Sequence, residues 1–275
     1  MERSSGILLP ISALPSPYGI GTLGKAAYDF IDFLAKAEQK WWQILPVGPT
    51  SYGDSPYQSF STFAGNPYFI DLEILCKEGL LEQTEIDAVD WGSDPVKADY
   101  EKIYNSRFVL LQKAKRRGWD IDAEEISKFT EVNKSWIPDY ALYMALKRHF
   151  GMKAWTEWED ENIRLRKEDA LENYRQELAE DIELFIYIQY LFYKQWSALR
   201  GYAKEKGIGI IGDMPIYVAH DSVDVWSAPE QFLLDGNYNP TVVAGCPPDG
   251  FSPDGQLWGN PIYNWQLMEQ QGFSW

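Results

Sequence analysis

The feature that most limits how this chain can fold is the order of elements over residues 6–49. GILLPIS reads as a short buried strand, and a Gly/Pro-rich loop, LPSPYGIGTLG, follows it. KAAYDFIDFLAKAEQ then sets Phe30, Phe33, Leu34 and Ala37 at helical spacing. KWWQILPVGP is a second strand, ended by Pro46 and Pro49. Strand, loop, helix, strand is a βαβ unit, which makes the two strands parallel neighbours. A third apolar strand, IGIIG at 208–212, ends at Asp213. The expected fold class is therefore α/β. In (β/α)₈ barrels the chemistry is built at the C-terminal ends of the strands. The loops after these three strands are expected to converge on that one face.

Between the second and third strands the character changes twice. PTSYGDSPYQSFSTFAGNPYF is irregular by its Gly, Pro, Ser and Asn content, and a loop of that length in a compact domain is usually functional or disordered. Aromatics at 52, 57, 60, 63, 68 and 69 argue against disorder. From about 72 to 200 the chain is rich in Glu, Lys, Leu and Ala and reads as a mainly helical insertion. PDYALYMALKRHFG puts Leu142, Ala145, Leu146 and His149 on one face, with Gly151 as a stop. DIELFIYIQYLFYKQWSALRGYAKEKG is apolar on nearly all sides at first, as in a buried helix, and Gly207 is its expected stop.

Composition excludes several function classes. The 275 residues hold 25 basic and 41 acidic side chains, a net charge of −16. Such a field repels phosphate backbones and anionic membrane surfaces, so neither nucleic acid nor membrane is an expected partner. Cys76 and Cys246 stand far apart, which fits neither a disulfide framework nor a zinc site and favours a reducing, cytoplasmic compartment. The apolar run before Pro10 is three residues long, too short for a signal-peptide core. Two histidines and no cysteine cluster point away from a metal site, and the His220–Asp221 pair reads as structural. No P-loop or G-x-S-x-G elbow is present. GIGTLG lacks the context of a dinucleotide fingerprint, so no cofactor is expected.

Twelve tryptophans and seventeen tyrosines bring rings with apolar faces and polar edges, which serve either as core filling or as platforms for sugars. Tyr57 in GDSPYQSFS and Trp258 in GQLWGNP each sit in a punctuated loop, beside Pro56 and Gly259. Asp249, Gln256 and Asn260 supply hydroxyl-recognising groups near Trp258. The Gly/Pro-rich stretch 245–261 that carries them is expected to be a long loop, neither helix nor inner strand. Asp213 either faces a barrel mouth or braces the turn that follows it.

Four stretches, SGILLPISALPSPYGIGTLG, GDSPYQSFSTFAGNPYFIDL, GDMPIYVAHDSVDVW and TVVAGCPPDGFSPDGQLWGNPIYNW, closely resemble the amylomaltase family of 4-α-glucanotransferases, glycoside hydrolase family 77. The resemblance implies a (β/α)₈ barrel with inserted subdomains. It implies transfer of α-1,4-glucan segments to a glucan acceptor, with retention, through a covalent intermediate and without a cofactor. Retention requires an Asp/Glu pair about 5 Å apart. By the same resemblance, 245–261 is the family's flexible loop over the cleft. Asp249, Phe251 and Ser252 would meet the donor glucan, Trp258 would support it, and Tyr57 would stack on the sugar nearest the reacting bond. Asp213 would support the reaction centre, and Tyr52 would belong to a second, surface glucan site.

The family's nucleophilic aspartate lies in an R-I-D-H-F-like motif after the fourth strand, with the acid/base glutamate later, and neither motif occurs here. The expectation is an N-terminal part of such an enzyme. It would comprise first strands and sugar-facing loops over 1–71, a helical insertion over 72–200, and the third strand with the donor loop over 201–275. The catalytic nucleophile and acid/base are expected beyond Trp275, which would leave these residues inactive alone. A non-catalytic glucan-binding fragment and an α-amylase-type hydrolase are the competing readings.

Overall fold

The computed structural model describes residues 3–94 and 97–275. Three short strands, β1 (Gly6–Leu8), β2 (Trp41–Gln43) and β3 (Gly209–Ile211), form one parallel sheet in the order β1-β2-β3. Helix α1 (Lys25–Lys36) crosses from β1 to β2, as the βαβ pattern requires. The register aligns Ile7, Trp42 and Ile210 in one row and Leu8, Gln43 and Ile211 in the next.

Successive side chains on a strand point to opposite faces, and the two faces of this sheet differ sharply. Trp42 is fully buried, meets the Phe30 ring at 5.1 Å, and donates its indole N–H to the Leu9 carbonyl at 2.8 Å. On the other face Leu8, Trp41 and Ile211 are 54%, 41% and 41% exposed. The first strand is half-buried at Ile7 and exposed at Gly6 and Leu8, which corrects its reading as a buried strand. A side chain at Gly209 would strike the Trp41 ring at 2.3 Å, so the indole lies flat over that backbone. The buried stripe of α1 is Ala27, Ile31 and Leu34, while Phe33 is exposed; the face is rotated from the one expected.

The chain divides into two compact units, each assembled from alternating stretches. The first comprises residues 1–47, 65–138 and 183–214, the second 48–64, 139–182 and 215–275. These bounds differ from the division by chain order into 1–71, 72–200 and 201–275 that the sequence led us to expect.

In the first unit the helix Ala179–Glu205 buries Leu184, Phe185, Tyr187, Ile188, Leu191 and Phe192, and Gly207, at positive φ, follows its end. Its two buried glutamines hold the loop 65–71. The Gln189 amide accepts from Gly65 N–H at 2.7 Å and donates to Gly65 C=O at 3.0 Å. Gln195 does the same to Asp71, at 2.7 and 3.2 Å. Each side-chain amide thereby substitutes for a strand partner and satisfies both groups of a buried residue. The motif GNPYFIDL is ordered by this clamp.

In the second unit the helix Ile137–His149 is buried at every position from Tyr140 to Lys147, rather than along one stripe, and His149 lies outside that core. Gly151, at φ 65°, follows it. The same unit holds an antiparallel pair, β4 (Val243–Cys246) and β5 (Gln256–Pro261). Among the described residues no helix is long and apolar enough to cross a membrane.

Candidate functional site

The stretch 245–261 is a β-hairpin with a nine-residue tip rather than a long loop, because β4 and β5 pair across its base. Gly245 is opposite Leu257 and Cys246 opposite Gln256. Asp249 builds the tip: its Oδ1 accepts from the backbone N–H groups of Phe251 and Ser252, both at 2.8 Å. The Ser252 hydroxyl donates to Gly255 C=O at 2.7 Å. This Asx-type turn leaves Phe251 97% exposed at the tip. Asp249 and Ser252 shape the turn that presents Phe251, and their bonds described here lie within 249–255.

On β5, Gln256 and Trp258 share a face, and the indole N–H donates to Gln256 Oε1 at 3.0 Å. Trp258 is 43% exposed and lies 6.5 Å from the Tyr217 ring. Gly259 has φ 79°, a conformation that an L side chain resists, and it turns the strand between Trp258 and Asn260. Asn260 is 4% exposed, and each end of its amide makes a hydrogen bond. Its Nδ2 donates to Val218 C=O at 2.8 Å, and its Oδ1 accepts from Gln58 Nε2 at 3.0 Å. This burial and these two bonds favour a structural role for Asn260 over the contact with sugar hydroxyls expected of it.

Tyr57 is 44% exposed and its N–H donates to Ser55 Oγ at 3.3 Å. It lies in a small closed loop: Thr50 bridges Ser59, and Ser51 donates through both N–H and hydroxyl to Gln58 C=O. The loop is anchored where Val223 N–H donates to Phe60 C=O and Thr62 N–H donates to Asp224 Oδ2, both at 2.9 Å. Asp224 is buried, and desolvation raises its carboxyl pKa to about 6, opposed by its bonds with Thr62. The side chain of Tyr52 lies outside the described residues, and with it the surface glucan site expected there.

His220 and Asp221 are structural, as the sequence reading favoured. The imidazole Nε2 donates to Tyr238 C=O at 2.7 Å, and Trp155 donates its indole N–H to His220 C=O. Asp221 accepts from Tyr143 OH at 2.7 Å, Lys147 Nζ at 2.6 Å and Trp155 N–H at 3.1 Å. Lys147 is 1% exposed, and burial lowers its pKa against the opposing pull of Asp221. Among the described residues no group of three or more His, Cys, Asp or Glu could hold a metal ion.

Asp213 belongs to the first unit, two residues past β3 at the C-terminal end of the sheet, and is half-buried. The structure therefore collects Tyr57, Gln58, Tyr217, Trp258 and Asn260 within the second unit. Gln58 and Tyr217 escaped the sequence reading. Each lies in a stretch noted there, yet a glutamine beside a tyrosine, or a tyrosine in PIYV, carries no local mark of its long-range partner.

The model of the family described as 4-alpha-glucanotransferase, glycoside hydrolase family 77, matches residues 9–275. The chain belongs to this glucanotransferase family. It is 53% identical over its whole length to the 4-alpha-glucanotransferase of Streptococcus pneumoniae and 46% identical to that of Thermus thermophilus. It superposes with a TM-score of 0.96, at 48% identity, on amylomaltase from Streptococcus agalactiae solved in complex with acarbose. All of this chain matches 56% of that one, and the chain spans about half the length of the curated relatives it matches.

Proposed function

We propose that the chain forms the donor-binding part of a 4-α-glucanotransferase that moves α-1,4-glucan segments onto a glucan acceptor with retention. The observation that carries the reading is the family match over residues 9–275, together with a hairpin that turns Phe251 and Trp258 outward. The solved amylomaltase in complex with acarbose, a maltooligosaccharide analogue, supports a glucan as the ligand class. In this reading β1, β2 and β3 are three strands of a (β/α)₈ barrel and 72–200 is its helical insertion. Tyr57 and Trp258 stack on sugar rings, Phe251 caps the donor chain, Gln256 orients Trp258, and Asp213 supports the reaction centre. Asp249 and Ser252 shape the tip and offer their outer lone pairs to the glucan.

The nucleophile and the acid/base, a pair that retention needs about 5 Å apart, are assigned to the full-length protein, because the R-I-D-H-F-like motif of the family does not occur in these residues. Taken alone, the 275 residues bind glucan without turning it over. The reaction itself belongs to the full-length protein. That protein, given maltotriose in the presence of a chelator, is expected to release glucose and build longer maltodextrins. Hydrolysis alone, as an α-amylase-type enzyme would show, or a strict metal requirement would overturn the reading.

A further inference from the structure

Three chain segments meet at the buried amide of Asn260. It donates to Val218 C=O at 2.8 Å and accepts from Gln58 Nε2 at 3.0 Å, and the same Gln58 nitrogen lies 3.5 Å from Trp258 C=O. Each segment carries an aromatic ring next to its link. Tyr57 precedes Gln58, Tyr217 precedes Val218, and Trp258 lies two residues before Asn260 across the positive-φ Gly259. The Tyr217 and Trp258 rings are 6.5 Å apart with a 48° tilt, and Tyr217 stacks on Tyr263 at 6.0 Å and 20°. The Tyr263 hydroxyl donates to Ile216 C=O at 3.0 Å, which closes the same segment from behind.

A buried amide that bonds two strangers in sequence is a strong constraint. Losing one partner leaves the other polar group unsatisfied in the interior. Bonds to backbone carbonyls also fix main-chain position directly, without the freedom of a side-chain-to-side-chain contact. Asn260 and Val218 are buried, so the junction acts through the segments that carry the rings.

We propose that Asn260 and Gln58 are positioning residues that set the spacing of a three-ring platform, with Tyr217 as its third ring beside Tyr57 and Trp258. The ligand class is that of the proposed function, a glucan chain, and the inference rests on that reading. Pre-set rings lose little freedom when a sugar chain docks, which is where such a device acts.

The test uses full-length protein labelled with 5-fluorotryptophan, the Trp258 resonance being assigned by its loss in Trp258→Phe. Gln58→Ala removes one link and leaves the buried Asn260–Val218 bond intact. Asn260→Asp keeps the acceptor for Gln58 and loses the donor to Val218. Both variants should shift or broaden the Trp258 resonance without ligand and still unfold cooperatively, at a temperature below the parent protein's because a buried polar atom loses its partner. Both should raise KM for maltotriose by about tenfold, with a smaller change in kcat. Tyr217→Ala should raise KM similarly and Tyr217→Phe should restore it. An unmoved Trp258 resonance in both junction variants overturns the positioning role, and an unchanged KM in Tyr217→Ala overturns the third ring. A moved resonance with normal turnover keeps the junction and overturns Trp258 as a glucan contact, which separates this inference from the function it rests on.

Discussion

The segment 218–226 and the hairpin tip 247–255 belong to the same compact unit and draw on similar residues, yet they use them in opposite ways. In 218–226, Asp221 gathers bonds from Tyr143, Lys147 and Trp155, all more than 60 positions away, and Asp224 reaches Thr62. In the tip, Asp249 bonds Phe251 and Ser252, two and three residues on, and the aromatic side chain points to water. An aspartate that ties distant segments together is part of the framework. An aspartate that folds its own turn can be altered without loosening anything else. The distance in sequence over which a polar group finds its partner separates scaffold from working surface here better than residue type does.

The strongest way to break this contrast is Asp221→Ala. It removes three donors' acceptor and leaves the buried Lys147 ammonium with the Met152 and Lys153 carbonyls and the face of the Phe60 ring, and no carboxylate among its described hydrogen-bond partners. Removing one partner of a buried pair typically costs about 3–5 kcal/mol. Urea unfolding followed by tryptophan fluorescence should show a loss of that size, and a loss under 1 kcal/mol would put Asp221 in the same class as the tip.

Asp224 sharpens the comparison through pH. Its carboxyl, raised to about 6 by burial, holds its proton in the folded state over a range where the unfolded chain, with a value near 3.8, has released it. The folded state then binds more protons at this group than the unfolded one, so the stability that Asp224 contributes is fully present below about pH 4 and is lost as pH rises to about 6. The shift corresponds to about 3 kcal/mol. Tyr143 and Tyr263 face the same carboxylate and stay neutral throughout that range, Tyr263 being pushed up to about 12 and Tyr143 well above its usual value. Asp224→Asn should flatten this part of the melting-temperature profile. An unaltered profile would show that another group titrates there.

A smaller effect is expected at the exposed rings. Tyr57→Ala and Trp258→Ala should each lower kcat/KM of the full-length protein by an amount equivalent to about 1–3 kcal/mol while melting near the parent temperature. If the loss instead tracks unfolding, those rings are packing elements, and the scaffold extends further than drawn here. Smallest of all, Phe251→Ala should change stability by no more than about 0.5 kcal/mol, because the ring makes almost no buried contact. Its affinity for a long maltodextrin, measured by calorimetry, should still weaken. A clear fall in stability would mean that the tip is packed after all.

Much of this was readable from the chain alone. The alternation of strand and helix over residues 6–49 required parallel strands, because a parallel pair needs a crossover and α1 supplies it. Glycines at 151 and 207 marked helix ends, since a residue with positive φ is where the chain can leave a helix at least cost. Long ordered motifs identified the family, and the match over residues 9–275 agrees. The chemistry of single positions was not readable in the same way. Asn260 looked like a sugar contact and is a buried junction, because an amide shows the same letter whether its partners are hydroxyls or the distant Val218 carbonyl. Gln189 and Gln195 carry no local mark of their role and are clamps on Gly65 and Asp71, 124 residues away. The first strand looked buried, but a three-residue strand reports only that it is apolar, and which of its faces is covered depends on what packs there. Local order is encoded within a few residues and could be read directly. Burial and long-range hydrogen-bond partners are set by which segments meet in space, and only the tertiary structure decided those.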